Sequence, residues 1–119
     1  MHRMKITFKN MEVKMKEIMK RLQKFTSDRN WAQFHTPDNL AKSIVIEASE
    51  LLINYQYDDA YFNLDNVKDE LADVLAYCLM LCDHYQFDLT EIMNRKIDKN
   101  EKKYPIDKVY GKSDKYTKL

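Results

Sequence analysis

Two stretches of this 119-residue chain each hold a pair of carboxylates three positions apart, inside a run that is otherwise apolar or small. The first pair is Glu47 and Glu50, between Ile44 and Ile53; the second is Glu70 and Asp73, heading the run that ends at Tyr77. On a helix, residues i and i+3 are neighbours on one face. Like charges held there repel, so the arrangement costs stability unless a cation lies between them. A charged pair on a helix is commonly just a solvated face. Here, however, no lysine or arginine stands three or four positions from Glu47 or Glu50 to neutralise them; Ser43, Ile44, Ile46, Leu51, Ile53 and Asn54 fill those places. Two such pairs on packed helices would form a nest of four carboxylates, which suits a hard divalent cation such as Mg2+.

Periodicity identifies the elements that must position the nest. Met11, Met15, Ile18, Leu22 and Phe25 recur at steps of four and three, predicting an amphipathic helix over about residues 10–26. Thr36-Pro37 is a helix start, with threonine as cap and proline in the first turn. That helix is expected to run to Tyr55 or Tyr57, with Leu40, Ile44, Ala48, Leu51 and Tyr55 on its apolar side. Ser43, Glu47, Glu50 and Asn54 form its polar strip, which Ile46 and Ile53 are expected to enclose in part. A loop over 56–66 leads to a third helix from Asp65 or Asn66 to about His84, with Val67, Leu71, Val74, Leu75, Cys78, Leu79 and Cys82 as its apolar set. Asp88 and Glu91 resemble a capping box for a fourth helix, which Tyr104-Pro105 ends. No stretch alternates as a strand does. The expected fold is all-α and four-helix-bundle-like, in a single domain 1–119 with a core over about 10–105 and a basic tail over 106–119.

Composition narrows the function. The chain is 45% hydrophobic and 33% charged with net charge +1, a globular balance that gives no general attraction to nucleic acid polymers or membranes. No apolar run is long enough to span a bilayer. Nor does an apolar block follow the first five residues as it would in a signal peptide, so a cytoplasmic location is expected. Cys78 and Cys82, one turn apart, are expected to be small buried hydrophobes rather than a disulfide. With one glycine, Gly111, the chain has no Walker loop or dinucleotide fingerprint. Any phosphate chemistry must use metals, lysines and side-chain amides.

Around the nest stand further candidates. Tyr77 is one turn beyond Asp73, where its ring could stack on a base. Trp31, His35 and Tyr57 precede or follow the first acidic segment, and Lys96 and Asn100 lie one turn apart on the fourth helix. Core packing, capping and an exposed face are the ordinary roles for such residues.

The order Glu47-x-x-Glu50, nineteen intervening residues, then Glu70-x-x-Asp73 resembles the signature of the all-α, MazG-like nucleotide pyrophosphohydrolases. The segment from Asn30 to Leu40, with Trp31, Gln33, Phe34, His35, Pro37 and Asn39, is similar to the Asp-Trp-x-Gln-Phe-His-x-Pro-x-Asn-Leu segment of the dCTP pyrophosphatase branch. Lys96, Asp98 and Asn100 followed by Lys103-Tyr104-Pro105 resemble its Lys-Met-Asp-x-Asn…Arg-Tyr-Pro segment, and the last five residues echo its Lys-Tyr-Thr-Glu-Leu. The resemblance spans about residues 15–119. Two departures are plain: Ala48-Ser49 stand where the family often has a glycine, and Tyr57 replaces a tryptophan.

The resemblance implies hydrolysis of a nucleoside triphosphate, dCTP or a related pyrimidine nucleotide, to the monophosphate and pyrophosphate, in nucleotide-pool cleaning. It implies Glu47, Glu50, Glu70 and Asp73 as Mg2+ ligands. Crowding with like charge raises a carboxylate's pKa, so Glu47 or Glu50 is the expected general base. Trp31, His35, Tyr57, Tyr77 and Asn100 would line or approach the nucleotide pocket, and Lys96 would face the phosphates. The family assembles as a homodimer or homotetramer in which helices of two chains complete each site. A catalytically inactive helical oligomer that binds nucleotide or protein is the competing expectation.

Overall fold

The computed structural model describes residues 8–56, 62–113 and 117. Its described residues form helices and turns with no strand, as the periodicity predicts: the protein is all-α. Residues 1–85 and 86–119 make two compact units.

The first unit holds three long helices, α1 (Phe8–Asp28), α2 (Pro37–Ile53) and α3 (Leu64–Tyr85). The end of α1 is a Schellman motif. Asn30 takes φ 54°, its N–H bonds the Ser27 carbonyl at 3.0 Å, and the Trp31 N–H bonds the Thr26 carbonyl at 3.0 Å. Asparagine tolerates this left-handed backbone better than most side chains, so the chain turns there without a glycine. A single 3-10 turn, Ala32–Phe34, follows. The Asn39 side-chain amide ties it to α2 by donating to the Phe34 carbonyl at 3.0 Å. Thr36 caps α2 as its sequence predicts, accepting from the Asn39 N–H at 3.4 Å. Asn63 caps α3, accepting from the N–H groups of Asp65 at 2.9 Å and Asn66 at 3.4 Å.

Helix α2 packs along α3, and α1 packs on α3 over a smaller area. Leu40, 1% exposed, is the one fully buried hydrophobic residue among those described. Which faces turn inward differs from the apolar patterning. Half-buried positions on α2 include Ser43, Ile44, Glu47 and Leu51, with Asn54 half-buried at the C-cap, so part of the polar strip turns to α3 together with Ile44 and Leu51 of the apolar side, while Glu50 stays exposed. Ile46 and Ile53, expected to enclose it, are exposed, as are Val45 and Leu52. On α3, Val67, Val74, Cys78, Leu79 and Cys82 are half-buried, while Leu71 and Leu75 are exposed. On α1, Met19, Leu22 and Thr26 turn inward, and Met15, Ile18 and Phe25 stay exposed. The common reason is geometric. These apolar stripes are wider than the contact that one neighbouring helix can cover.

The second unit comprises α4 (Leu89–Lys103) and a short α5 (Ile106–Val109), the latter within the stretch expected to be an irregular tail. Asp88 caps α4 by accepting from the Glu91 N–H at 3.1 Å.

Candidate active site

The acidic pairs meet where α2 lies against α3. Steps of three and four bring Glu47 and Glu50 to the face of α2 that looks at α3, and the same spacing aligns Glu70, Asp73 and Tyr77 on α3. One carboxylate oxygen each from Glu47, Glu70 and Asp73 lies within 4.8 Å of the other two, so the three can hold a metal ion. Glu50 stands near enough to both Glu47 and Glu70 for its carboxylate to raise each of theirs.

The electrostatics are those of uncompensated negative charge. Burial pushes the Glu47 carboxyl above its ordinary range, reinforced by Glu50 and then by Asp73 and Glu70. Burial likewise raises Glu70, with Glu50, Asp73 and Asp69 adding to it. Burial raises the Tyr77 hydroxyl, and Glu47, Asp73 and Glu50 raise it further. The ion pairs Lys24–Asp28, Lys42–Asp38 and Lys68–Asp65 each lie within a single helix, and none of them touches the four acids. Glu47 Oε2 and Glu70 Oε2 are buried with no hydrogen-bond partner. A buried carboxylate oxygen without a partner is costly. Clustered oxygen donors that lack protons to share are what a hard divalent cation requires. The residues therefore fit such an ion.

Beside the carboxylates is a cavity of about 380 Å³, lined by Trp31, His35, Tyr77, Leu22, Phe25 and Met80, with Glu47 and Asp73 at its wall. His35 and Tyr77 meet edge to face at 6.3 Å between ring centroids. Trp31 meets Phe25 edge to face at 5.6 Å, and the Arg29 guanidinium lies 3.7 Å over the other ring of that pair. The Schellman turn and the 3-10 turn are what carry Trp31 and His35 across to α3. The structure thus brings together seven of the residues singled out by sequence: Trp31, His35, Glu47, Glu50, Glu70, Asp73 and Tyr77. Tyr57 falls outside the described residues. Lys96 and Asn100 lie on α4, exposed, in the second unit. Leu22, Phe25 and Met80 were missed as lining residues, although Met80 is legible as the next turn of the Asp73–Tyr77 strip.

Residues 42–119 match the model of the MazG-like family. The chain is 31% identical to dCTP pyrophosphatase 1 of Mus musculus, over 91% of this chain and 69% of that one. It is 30% identical to dCTP pyrophosphatase 1 of Homo sapiens over the same shares. A crystal structure of a pyrophosphatase from Archaeoglobus fulgidus superposes with a TM-score of 0.71 and 42% identity, covering 76% of this chain and 92% of that one. The matched segment contains all four acids on their two helices, and the chain belongs to the MazG-like family, as a nucleoside triphosphate pyrophosphohydrolase.

Proposed function

We propose that the protein is a Mg2+-dependent enzyme that converts dCTP or a related pyrimidine nucleotide to the monophosphate and pyrophosphate, cleaning the nucleotide pool. The observation that carries this reading is the buried, partnerless carboxylate oxygens of Glu47 and Glu70, on facing helices beside an aromatic cavity. The pyrimidine substrate is supported by the names of the mammalian relatives. A cytoplasmic location is part of the same reading; no helix among the described residues is long and apolar enough to cross a membrane.

Glu47, Glu50, Glu70 and Asp73 would hold the cation. Magnesium bound there would offset the charge of the triphosphate and, with it, the mutual repulsion of the acids. Glu47 or Glu50 accepts the proton of the attacking water. Burial and neighbouring like charge raise the Glu47 carboxyl, which makes Glu47 a better base near neutrality than an ordinary carboxylate. Trp31, His35 and Tyr77 receive the base against their rings and exclude water from it. Tyr57, Lys96 and Asn100 are carried as substrate contacts by their motifs alone.

The working form is a homodimer or homotetramer in this reading. Val45, 66% exposed, and Leu52, 56% exposed, lie on one apolar side of α2, and Leu71 and Leu75 on α3 are exposed as well. Exposed apolar side chains grouped on one helix face suit contact with a second copy of the chain. We read both units as parts of one domain.

The test is release of pyrophosphate from a panel of deoxy- and ribonucleoside triphosphates. Magnesium-dependent release, fastest with dCTP, is expected. No release from any nucleotide by a folded sample would instead favour an inactive nucleotide-binding oligomer.

A further inference from the structure

Arg29 follows the last residue of α1, and its side chain folds back one turn onto Phe25. The guanidinium carbon lies 3.7 Å from the centre of the Phe25 ring, and Nη1 donates to the Phe25 carbonyl at 3.1 Å. The Phe25 ring in turn meets Trp31 edge to face at 5.6 Å. Both rings line the aromatic cavity with Glu47 and Asp73, and the exposed Arg29 reaches that wall through Phe25. The backbone beneath this row is held in place. The Schellman turn fixes the chain around Arg29, and α1 is tied to α3 where the Gln23 Nε2 donates to Asp83 Oδ1 at 3.1 Å. Gln23 and Asp83 line a second cavity of about 310 Å³, which adjoins the aromatic one through Leu22, His35 and Met80. The two rings are less constrained than the backbone. Phe25 is 43% exposed and Trp31 42%, so close packing alone does not select their rotamers.

We propose that Arg29 is a positioning residue, which holds the Phe25 and Trp31 rings in the arrangement that receives the substrate's base. This rests on the nucleotide reading above and adds the element that orders its aromatic wall. A cation within about 6 Å of a ring centroid is attracted to the π face. The bond to the Phe25 carbonyl anchors the guanidinium, so the attraction selects the Phe25 rotamer that lies beneath it. Trp31 then packs on a ring that is already in place. Rings ordered before the base arrives lose less freedom when it docks, which favours binding. The ordinary role of an arginine at this position is to bond the last carbonyls of its helix. That role accounts for the hydrogen bond, but it does not require the guanidinium to sit over the ring.

The experiment is a double-mutant cycle of Arg29→Met and Phe25→Leu in the full chain. It is read in KM and kcat for dCTP and in the fluorescence anisotropy of Trp31, the single tryptophan. Arg29→Met keeps an unbranched stem and removes the cation. It is expected to raise KM about two- to fivefold, the span of an exposed cation–π contact, with kcat unchanged. The anisotropy of Trp31 in the free variant should fall. Both effects should vanish in the Phe25→Leu background, because Arg29 acts through that ring. Loss of a helix cap alone would lower the melting temperature and leave KM and anisotropy as they were, which overturns the proposal. The same rise in KM with and without the Phe25 ring also overturns it, because Arg29 would then meet the substrate's charge directly. Should Phe25→Leu not fold, Arg29→Met decides by itself: a rise in KM with a fall in anisotropy supports the proposal, and either one unchanged overturns it. A wild type inactive on every triphosphate fails the pyrophosphohydrolase reading, a separate result, and the anisotropy of Arg29→Met then decides whether Arg29 holds Trp31.

Discussion

Glu47 on α2 and Glu70 on α3 face one another across the helix pair, each with its Oε2 buried and without a hydrogen-bond partner. Their carboxyls are both raised above the ordinary range, first by burial and then by the neighbouring acids. The metal-free fold therefore carries a repulsive centre, and its stability must depend on pH.

The direction follows from linkage. A carboxyl whose folded pKa exceeds its unfolded value binds more protons in the folded state, so stability falls as pH rises between the two values. In chelator, the melting temperature is expected to fall as pH climbs from the ordinary carboxylate range through the raised values of Glu47 and Glu70. Magnesium should flatten or reverse this slope, because a cation that binds only the ionised nest of the folded state would add stability as the nest ionises. Thermal melts across pH, with chelator and with magnesium, check both. A flat profile in chelator would contradict the buried repulsion.

Removing one of the acids should move stability and activity in opposite directions. Glu70→Gln keeps the shape and deletes a charge, so in chelator it is expected to melt higher than the wild type. Its turnover should be lost, as should that of Glu50→Ala and Asp73→Ala with the helical circular dichroism retained. For the carboxylate that acts as base, the loss should be about a hundredfold to ten-thousandfold in kcat. Parallel melting and kinetics of these variants suffice, and full activity in Glu50→Ala and Asp73→Ala together would remove them from the site.

Tyr77 lies edge to face with His35 at 6.3 Å in the wall of the aromatic cavity. Tyr77→Leu is expected to raise KM several-fold, up to about tenfold, since aromatic pairing contributes about 0.5–1.5 kcal/mol beyond burial. Tyr77→Phe keeps the ring and should retain most of the affinity. Steady-state kinetics separate the two, and equal KM in Leu and Phe variants would exclude stacking.

The exposed apolar side of α2 predicts self-association. Leu52→Glu is expected to shift the protein toward monomer in sedimentation and to lower its stability. A wild type that sediments as a monomer at micromolar concentration would leave that face without an occupant.

The helices were legible because each carried a local signal: the Thr36 cap and Pro37 for α2, the Asp88 cap for α4, and stepped apolar residues for α1 and α3. The four acids were legible because two pairs of the same spacing stood in apolar runs, with no lysine or arginine three or four positions from Glu47 or Glu50. The inward face of α2 was legible in part: Leu40, Ile44 and Leu51 turn inward as their apolar spacing predicts, while Ala48 and Tyr55 do not. Reading Ala48 and Tyr55 as its buried side follows hydrophobicity, whereas the helix turns part of its charged strip to α3 and leaves apolar residues outside. Single-chain periodicity cannot distinguish a face that meets its own helices from one left for another surface. The cavities were also hidden. Met80 and Asp83 sit on the strip in plain sequence, but Gln23 and Leu22 reach it only through the packing of α1 on α3, a contact far apart along the chain.

The central claim is hydrolysis between the α and β phosphates at this nest of carboxylates. Phosphorus NMR of dCTP incubated with the protein, in magnesium and in chelator, tests it most directly. The expected products are dCMP and pyrophosphate in magnesium, with dCTP intact in chelator. Release of inorganic phosphate with dCDP, or equal turnover in chelator, would contradict it.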